Sequence, residues 1–404
     1  MNYIITGGEF NNKGAEAMTL LTISRIRQHD SNAKIILISN NPVPKEFENI
    51  KITRYAVCNN TINYLLTGSK VELCKAWIKN AIKFIQRKSE KIVSPMKLKK
   101  IYKNCAFTFD ISGFALSSKF NETRSQVFLD YLRISQKYQV KSILMPQSFG
   151  PFDFKTIAFE EMKNVLQSCH LIYAREKEGY DYLKNMGLNR VILSTDMVLT
   201  EKEIDYRFVF PGNPPKSFSY VLDGTKNYVG IIPNFRTLDS KKISLEHLLG
   251  LYRSMTDLVL SAGKSVYLIP HAKEDIMICS KIKAMYSDNT NVILIDKVLH
   301  SYEYQELVSH FDYIIASRYH SIIHAYKEAT PALILGWAVK YKELAERFEQ
   351  TEYVFDITDD FSSEKILTAL QILNSNHEKD SEFIRSILNE IQKNDLFLPI
   401  FRTN

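Results

Sequence analysis

Short apolar runs alternate with longer stretches of helical periodicity, and the chain does this twice. Parallel strands covered on both faces read as continuous apolar runs, and each must be joined to the next by a long crossover, usually a helix. In the first series, strands are expected at Tyr3–Thr6, Lys34–Ser39, Phe107–Ile111, Lys141–Met145, Leu171–Ala174 and Val191–Leu193, with a weaker one in Lys51–Ala56. Helices are expected at Gly14–Gln28 and Gln126–Tyr138. The second series has strands at Tyr228–Ile232, Ser265–Ile269, Val292–Ile295, Tyr313–Ala316 and Ala332–Leu335. Its helices fall at Leu245–Ser261, Ile276–Met285, Tyr304–Phe311 and Ser321–Ala329, and Glu364–Leu373 and Ser381–Gln392 read as two more. Between the series, Asp205–Lys226 is rich in Pro, Gly and Ser and lacks periodicity, as an interdomain connection does. The expected fold class is α/β, with two Rossmann-like domains facing a cleft, over residues 1–205 and 226–379.

Composition narrows the function classes. Charged residues make up 24% and apolar residues 45%, the balance of a soluble globular chain. The first residues lack a basic segment followed by a long apolar one, and no run of 18 apolar residues occurs, so a cytoplasmic location is expected. The five cysteines (Cys58, Cys74, Cys105, Cys169 and Cys279) are odd in number and form no Cys-x-x-Cys pair, which suits a reducing compartment. A formal charge of +7 is compatible with nucleic acid, anionic lipid or a small anionic substrate. No aromatic-basic nucleic-acid motif is present, so nucleic acid is not an expected partner.

In open parallel sheets, ligands bind beyond the carboxyl ends of the strands. The expected strand Tyr313–Ala316 runs into Ser317-Arg318-Tyr319-His320. If the chain stays extended there, Arg318 and His320 point the same way, ahead of a helix starting near Ser321. A fixed cation, an imidazole and a helix N-terminus suit a donor carrying phosphate and carboxylate groups. The competing arrangement has Arg318 paired with a structural carboxylate and His320 at the helix cap. His320 and His324 stand one turn apart, but no HExxH pattern and no third ligand accompany them, so no metal is expected. Gly336 follows the next strand, where a glycine permits close backbone approach, and Lys340 is within reach of the same anion. His271 and Asp275 follow the strand at Ser265–Ile269. There they serve either as ligand contacts or, for Asp275, as a first-turn carboxylate.

The order Ser317-Arg318-x-His320, Pro331, Gly336-Trp337, Lys340-Tyr341 resembles the C-terminal signature of the polysaccharide pyruvyl transferase family. Other blocks agree. Gly7-Gly8 with Asn11-Asn12-Lys13-Gly14-Ala15-Glu16-Ala17 is similar to the family's opening, with Ala15 where an Asp is usual. Asp110-Ile111-Ser112-Gly113 resembles its second block, with Phe114 where a second Gly is usual. Pro146-Gln147-Ser148-Phe149-Gly150-Pro151-Phe152 and Ala174-Arg175-Glu176 with Gly179, Gly187 and Asp196 match well.

The resemblance implies a GT-B-like fold, with a C-terminal helix at 380–404 rejoining the first domain. It implies phosphoenolpyruvate as co-substrate with no other cofactor, and a sugar acceptor in a surface glycan or its lipid-linked precursor, converted to a pyruvate ketal. It makes His320 and Arg318 catalytic. It assigns Arg236, in Pro233-Asn234-Phe235-Arg236, to the donor, for which Lys340, His271, Ser317 and Gly336 are candidate contacts by their positions after strands. Arginines beside His320 would disfavour its cationic form until an anionic donor arrives. In the first domain, Asn11, Asn12, Glu16, Asp110, Gln147 and Arg175 become candidate acceptor contacts, against turn, loop and ion-pair roles for the same residues. Two alternatives stay open: a glycosyltransferase of the same fold using a nucleotide sugar, and a non-catalytic glycan-binding relative.

One segment belongs to neither site. Lys75, Lys79, Lys83 and Arg87 recur every four residues, with Trp77, Ile78, Ile82, Phe84 and Ile85 largely elsewhere on the helix. Lys91, Lys97, Lys99, Lys100 and Lys103 follow. The stretch 70–103 suits an anionic membrane surface, an acidic polymer, or an ordinary helix packing its apolar face on the domain.

Overall fold

The computed structural model describes residues 1–85, 92–212, 222, 227–240, 242–336, 339–358 and 361–402. Arg87, Lys91, Trp337 and most of the expected connection (213–221 and 223–226) lie outside the described residues, as do the side chains of Lys83, Phe84 and Ile85. The chain forms two compact units. One comprises 1–197, 203–215 and 395–404, and the other 198–202 and 216–394.

The first unit is a parallel sheet of seven strands: β1 (Asn2–Thr6), β2 (Lys34–Ile38), β3 (Thr53–Tyr55), β4 (Cys105–Asp110), β5 (Lys141–Gln147), β6 (Leu171–Ala174) and β7 (Val191–Leu193). Their order is β3-β2-β1-β4-β5-β6-β7. Apolar runs explain the strands: Ile4, Ile5, Leu37, Phe109, Ile143 and Leu144 are fully buried, as helices on both faces require. The helix Lys13–His29 leaves β1 with Asn12 as its cap, the Asn12 side chain accepting from Gly14 N and Ala15 N. At the carboxyl end of β1 the backbone of Gly7 presses on β4's continuation. A Cβ on Gly7 would lie 2.2 Å from Ser112 Oγ, and its φ of +76° also favours glycine.

The end of the chain completes this unit. Phe397 packs on Phe109 and Phe401 on Phe107, and the Tyr173 hydroxyl donates to the Leu396 carbonyl at 2.7 Å. His29 stacks on Phe401 at 4.0 Å, and Arg25 pairs with Asp395.

The second unit is a parallel sheet of six strands: β8 (Tyr228–Ile232), β9 (Ser265–Leu268), β10 (Val292–Leu294), β11 (Tyr313–Ala316), β12 (Ala332–Leu335) and β13 (Val354–Phe355). Their order is β10-β9-β8-β11-β12-β13. The two-residue β13 was not expected from the sequence. Every residue of β8, β9, β11 and β12 is buried, so truncating any large apolar one to Ala costs about 2–5 kcal/mol.

Two local expectations are corrected. The helix after β11 spans Tyr319–Lys327, beginning two residues before Ser321. Arg318 is therefore its N-cap residue and His320 sits inside its first turn, so the two side chains are not on one extended face. The segments Glu364–Leu373 and Ser381–Gln392 are parts of one continuous helix, Ser363–Ile391, within the second unit. The return to the first unit is made by residues 395–404 alone.

Candidate active site

In each sheet the strand order reverses once, between β1 and β4 and between β8 and β11. There successive crossovers leave toward opposite faces, opening a crevice at the strands' carboxyl ends. In the second unit this crevice is bounded by Pro233-Asn234 after β8 and Ser317-Arg318 after β11, with Ala316 in register with Ile232. Asn234 Nδ2 donates to the Ser317 carbonyl at 3.1 Å, and Asn234 Oδ1 accepts from Arg236 N at 3.0 Å. The Tyr341 hydroxyl donates to the same Ser317 carbonyl, while Tyr252 and Ser317 join through their hydroxyls at 2.9 Å. Ser317, expected to touch the donor, is fully buried with these groups engaged, and they fix the chain leading to Arg318.

Arg318 is bound to carboxylates on the turn after β9. Its Nε donates to Asp275 Oδ2 at 3.0 Å, and its Nη2 to Asp275 Oδ1 at 2.6 Å and to Glu274 Oε1 at 3.0 Å. Asp275 is fully buried and also accepts from the Ala272 and Phe235 amides, both at 2.9 Å. Asp275 thus both caps its turn, as the sequence allowed, and anchors Arg318. Burial works against the Arg318 charge, but Asp275 and then Glu274 outweigh it and hold the guanidinium more firmly protonated than usual. Arg236 is mostly exposed and donates from Nε to the same Glu274 Oε1 at 3.2 Å. Burial pushes the Glu274 carboxyl up, yet its backbone amide, Arg318 and Arg236 together hold it below the usual carboxylate range. The two arginines expected at the donor therefore meet on one carboxylate, and Arg318 Nη1 and both terminal nitrogens of Arg236 are left uncommitted to it.

The other donor candidates gather around Tyr319. Its ring meets His320 edge-on at 5.5 Å and Tyr341 edge-on at 5.6 Å. Lys340 Nζ lies 4.7 Å from the Tyr319 centroid and 5.7 Å from that of Tyr341, a cation–π position. Gly336 explains why Tyr341 can sit here: a Cβ would lie 2.5 Å from its ring. His271 is buried and meets Tyr304 edge-on at 5.5 Å, and His324, which also meets Tyr304 edge-on, at 5.9 Å, has Nδ1 3.3 Å from Gln305 Oε1. His324 thus packs against Tyr304, and no group of three metal-ligating side chains occurs among the described residues.

The candidates in the first unit divide. Asp110, Gln147 and Arg175 are brought together across the carboxyl ends of β4, β5 and β6. Asp110 accepts from Thr6 Oγ1, Ser112 N, Ser112 Oγ and Gln147 Nε2. Burial pushes its carboxyl above the usual range against those hydrogen bonds. Arg175 binds Ser148 Oγ at 2.6 Å, Asp196 at 3.1 Å and Glu176 at 2.6 Å. Gln147 is fully buried, and its Oε1 has no hydrogen-bond partner among the described residues. Asn12 is committed to its cap, Asn11 is exposed, and Glu16 is fully buried against Lys13 at 2.7 Å.

Sequence reasoning missed Asn234, Tyr252 and the role of Asp275. Only Asn234 carried a signal, a polar residue directly after a buried strand at the point of order reversal.

The family described as polysaccharide pyruvyl transferase matches residues 12–338. No curated protein sequence is significantly similar to the chain. Solved structures share the architecture. The UDP-GlcNAc 2-epimerase of Methanocaldococcus jannaschii is 12% identical, with a TM-score of 0.55 over 96% of this chain and 99% of its own. A putative UDP-N-acetylglucosamine 2-epimerase of Listeria monocytogenes is 9% identical, with a TM-score of 0.59 over 95% and 90%. The spinosyn rhamnosyltransferase SpnG is 10% identical, with a TM-score of 0.52 over 100% and 99%. At such identities the likeness establishes the two-domain, Rossmann-like GT-B fold and nothing about substrates.

Proposed function

Because this chain belongs to the polysaccharide pyruvyl transferase family, and is thus a transferase, we propose that its donor is phosphoenolpyruvate and its acceptor a sugar in a surface glycan or its lipid-linked precursor. The reaction would run in the cytoplasm, at the membrane face where such a precursor is held, with no cofactor beyond the donor. The observation that carries this reading is the cluster at the β8/β11 reversal. Arg318, joined through Glu274 to Arg236, lies two residues from His320 and directly before a helix N-terminus.

Ketal formation requires a proton on the methylene carbon of the enol ester, which makes the central carbon oxocarbenium-like. One sugar hydroxyl attacks that carbon, the carbon–oxygen bond to phosphate breaks, and a second hydroxyl of the same sugar closes the ring. Of the two hydroxyl protons, one balances the proton placed on the new methyl group and the other leaves with phosphate. His320 is assigned as the proton carrier, since an imidazole gives and takes protons near neutral pH. Arg318 and Arg236 hold the carboxylate and phosphate through the nitrogens not bound to Asp275 or Glu274, and Lys340 adds charge from the Tyr319 side. Asp275 acts through Arg318, fixing the plane of its guanidinium.

The test is incubation with phosphoenolpyruvate and a panel of lipid-linked or aryl glycosides, following phosphate release and gain in product mass. His320→Ala should lose about a hundredfold or more in rate. Stabilisation against heat by a nucleotide sugar, and not by phosphoenolpyruvate, would replace this reading with that of a glycosyltransferase.

A further inference from the structure

The helix Lys70–Ile85 turns its apolar face outward. Ala76 is fully buried, while Val71 is 62% exposed, Trp77 53%, Ile78 60% and Ile82 48%. With exposed Cys74, the residues Val71, Cys74, Ile78 and Ile82 recur at i, i+3, i+7 and i+11, one stripe opposite the side that carries Ala76. Of the apolar residues expected to pack on the domain, Trp77, Ile78 and Ile82 are exposed instead, while the side chains of Phe84 and Ile85 lie outside the described residues. Exposed Lys75 and Lys79 border the stripe on one shoulder, and exposed Lys70 lies on the other beside Trp77. Glu72 is turned away from it, accepting from Asn60 Nδ2 at 2.8 Å and Lys75 Nζ at 2.9 Å.

Charge sets this segment apart. Residues 70–103 hold 11 of the chain's 52 basic residues and two of its 45 acidic ones. The remainder has 41 basic and 43 acidic residues, so the chain's whole positive excess lies here.

We propose that the helix Lys70–Ile85 is a docking surface for an anionic lipid bilayer, lying in the interface plane with Val71, Ile78 and Ile82 among the acyl chains and the lysines at headgroup phosphates. The apolar spacing would also seat a second copy of the helix. That pairing sets lysine shoulders against lysine shoulders with no outward acidic side chain between them, whereas a bilayer of acidic lipids supplies the missing charge. Trp77, where the stripe meets its basic border, is the residue type enriched at headgroup depth. The inference is independent of the reaction. It adds a site that keeps the enzyme beside an acceptor anchored in the same membrane.

The test is co-sedimentation of the full chain with phosphatidylcholine vesicles, with and without phosphatidylglycerol. Wild type should bind the anionic vesicles at least tenfold more tightly and be released by high salt. Each lysine near such a surface contributes about fivefold, so Lys75→Glu with Lys79→Glu should lower binding by at least about tenfold. Trp77→Ser with Ile78→Ser and Ile82→Ser should do the same, with an unchanged melting temperature because these side chains are exposed. Brominated-lipid quenching of tryptophan fluorescence, strong in wild type and reduced in Trp77→Phe, checks insertion in a nearly unaltered protein. Equal binding to neutral and anionic vesicles, or variants that bind like wild type, overturns the proposal. So does a dimer that the triple variant converts to monomer without any vesicle binding.

Discussion

Asp275 grips Arg318 by two nitrogens, at 3.0 and 2.6 Å, while two backbone amides take up its other acceptor positions. A fully buried carboxylate with four donors is a fixed reference point, and the guanidinium inherits its rigidity. Removing it leaves a largely buried charge facing two unsatisfied amides. Asp275→Ala should therefore destabilise the second domain by about 3–5 kcal/mol, read from urea unfolding. Arg318→Lys should keep the charge but lose the two-point fork, so that donor-dependent rate falls while stability changes less.

Arg236 offers the opposite case. It is mostly exposed and makes a single bond to Glu274. Arg236→Ala should change unfolding free energy by less than about 0.5 kcal/mol. It should raise the half-saturating concentration of phosphoenolpyruvate by about tenfold or more, the cost of a charged hydrogen bond. Equal half-saturation in variant and wild type would remove Arg236 from the donor site.

Gly336→Ala tests the aromatic platform. The new methyl would stand 2.5 Å from the Tyr341 ring and displace it. That shift breaks the Tyr341 bond to the Ser317 carbonyl and moves a ring against which Lys340 rests. The expected cost is about 1–3 kcal/mol, with loss of donor binding in calorimetry. Tyr341→Leu in the same background should recover stability without recovering activity.

Asp110 predicts a pH dependence of stability. Burial raises its folded carboxyl above the value in the unfolded chain. Between the two values the folded state holds the proton and the unfolded state releases it. The stability Asp110 contributes is thus full below the usual carboxylate range and lost as pH rises through the folded value. Asp110→Asn can keep the network: its amide nitrogen can face the Thr6 and Ser112 hydroxyls, which rotate to accept, and its oxygen can take Ser112 N and Gln147 Nε2. The urea midpoint of wild type relative to Asp110→Asn should therefore fall as pH rises above the usual carboxylate range, and a flat difference would refute the argument.

The central strands of both sheets were legible in the sequence because they are buried on both faces, and runs such as Tyr313–Ala316 cannot be anything half-exposed, whereas the half-buried, two-residue β13 left no such run. The start of the next helix was not, because Ser321 imitates a cap. It lies inside the first turn, and its hydroxyl returns to the Arg318 carbonyl at 2.5 Å. The polar stretch from Asn374 to Asp380 read as a break between helices. In the fold those residues have distant partners: Tyr313 donates to Asn374 and Tyr353 to Asp380. Arg318 and His320 could be picked out because they follow a strand end. Asp275 could not be matched to Arg318, since 43 residues separate them and only the sheet order makes them neighbours.

The aromatic lid that Phe397 and Phe401 place over Phe109 and Phe107 has a consequence for biogenesis. The first domain to leave the ribosome is the last to be finished. Its sheet can pair early, yet Phe107 and Phe109 stay without this cover until the entire second domain has been synthesised. A chain released just short of Asp395 would thus carry a first domain with Phe107 and Phe109 uncovered beside a second domain with its full sequence, a natural client for a chaperone.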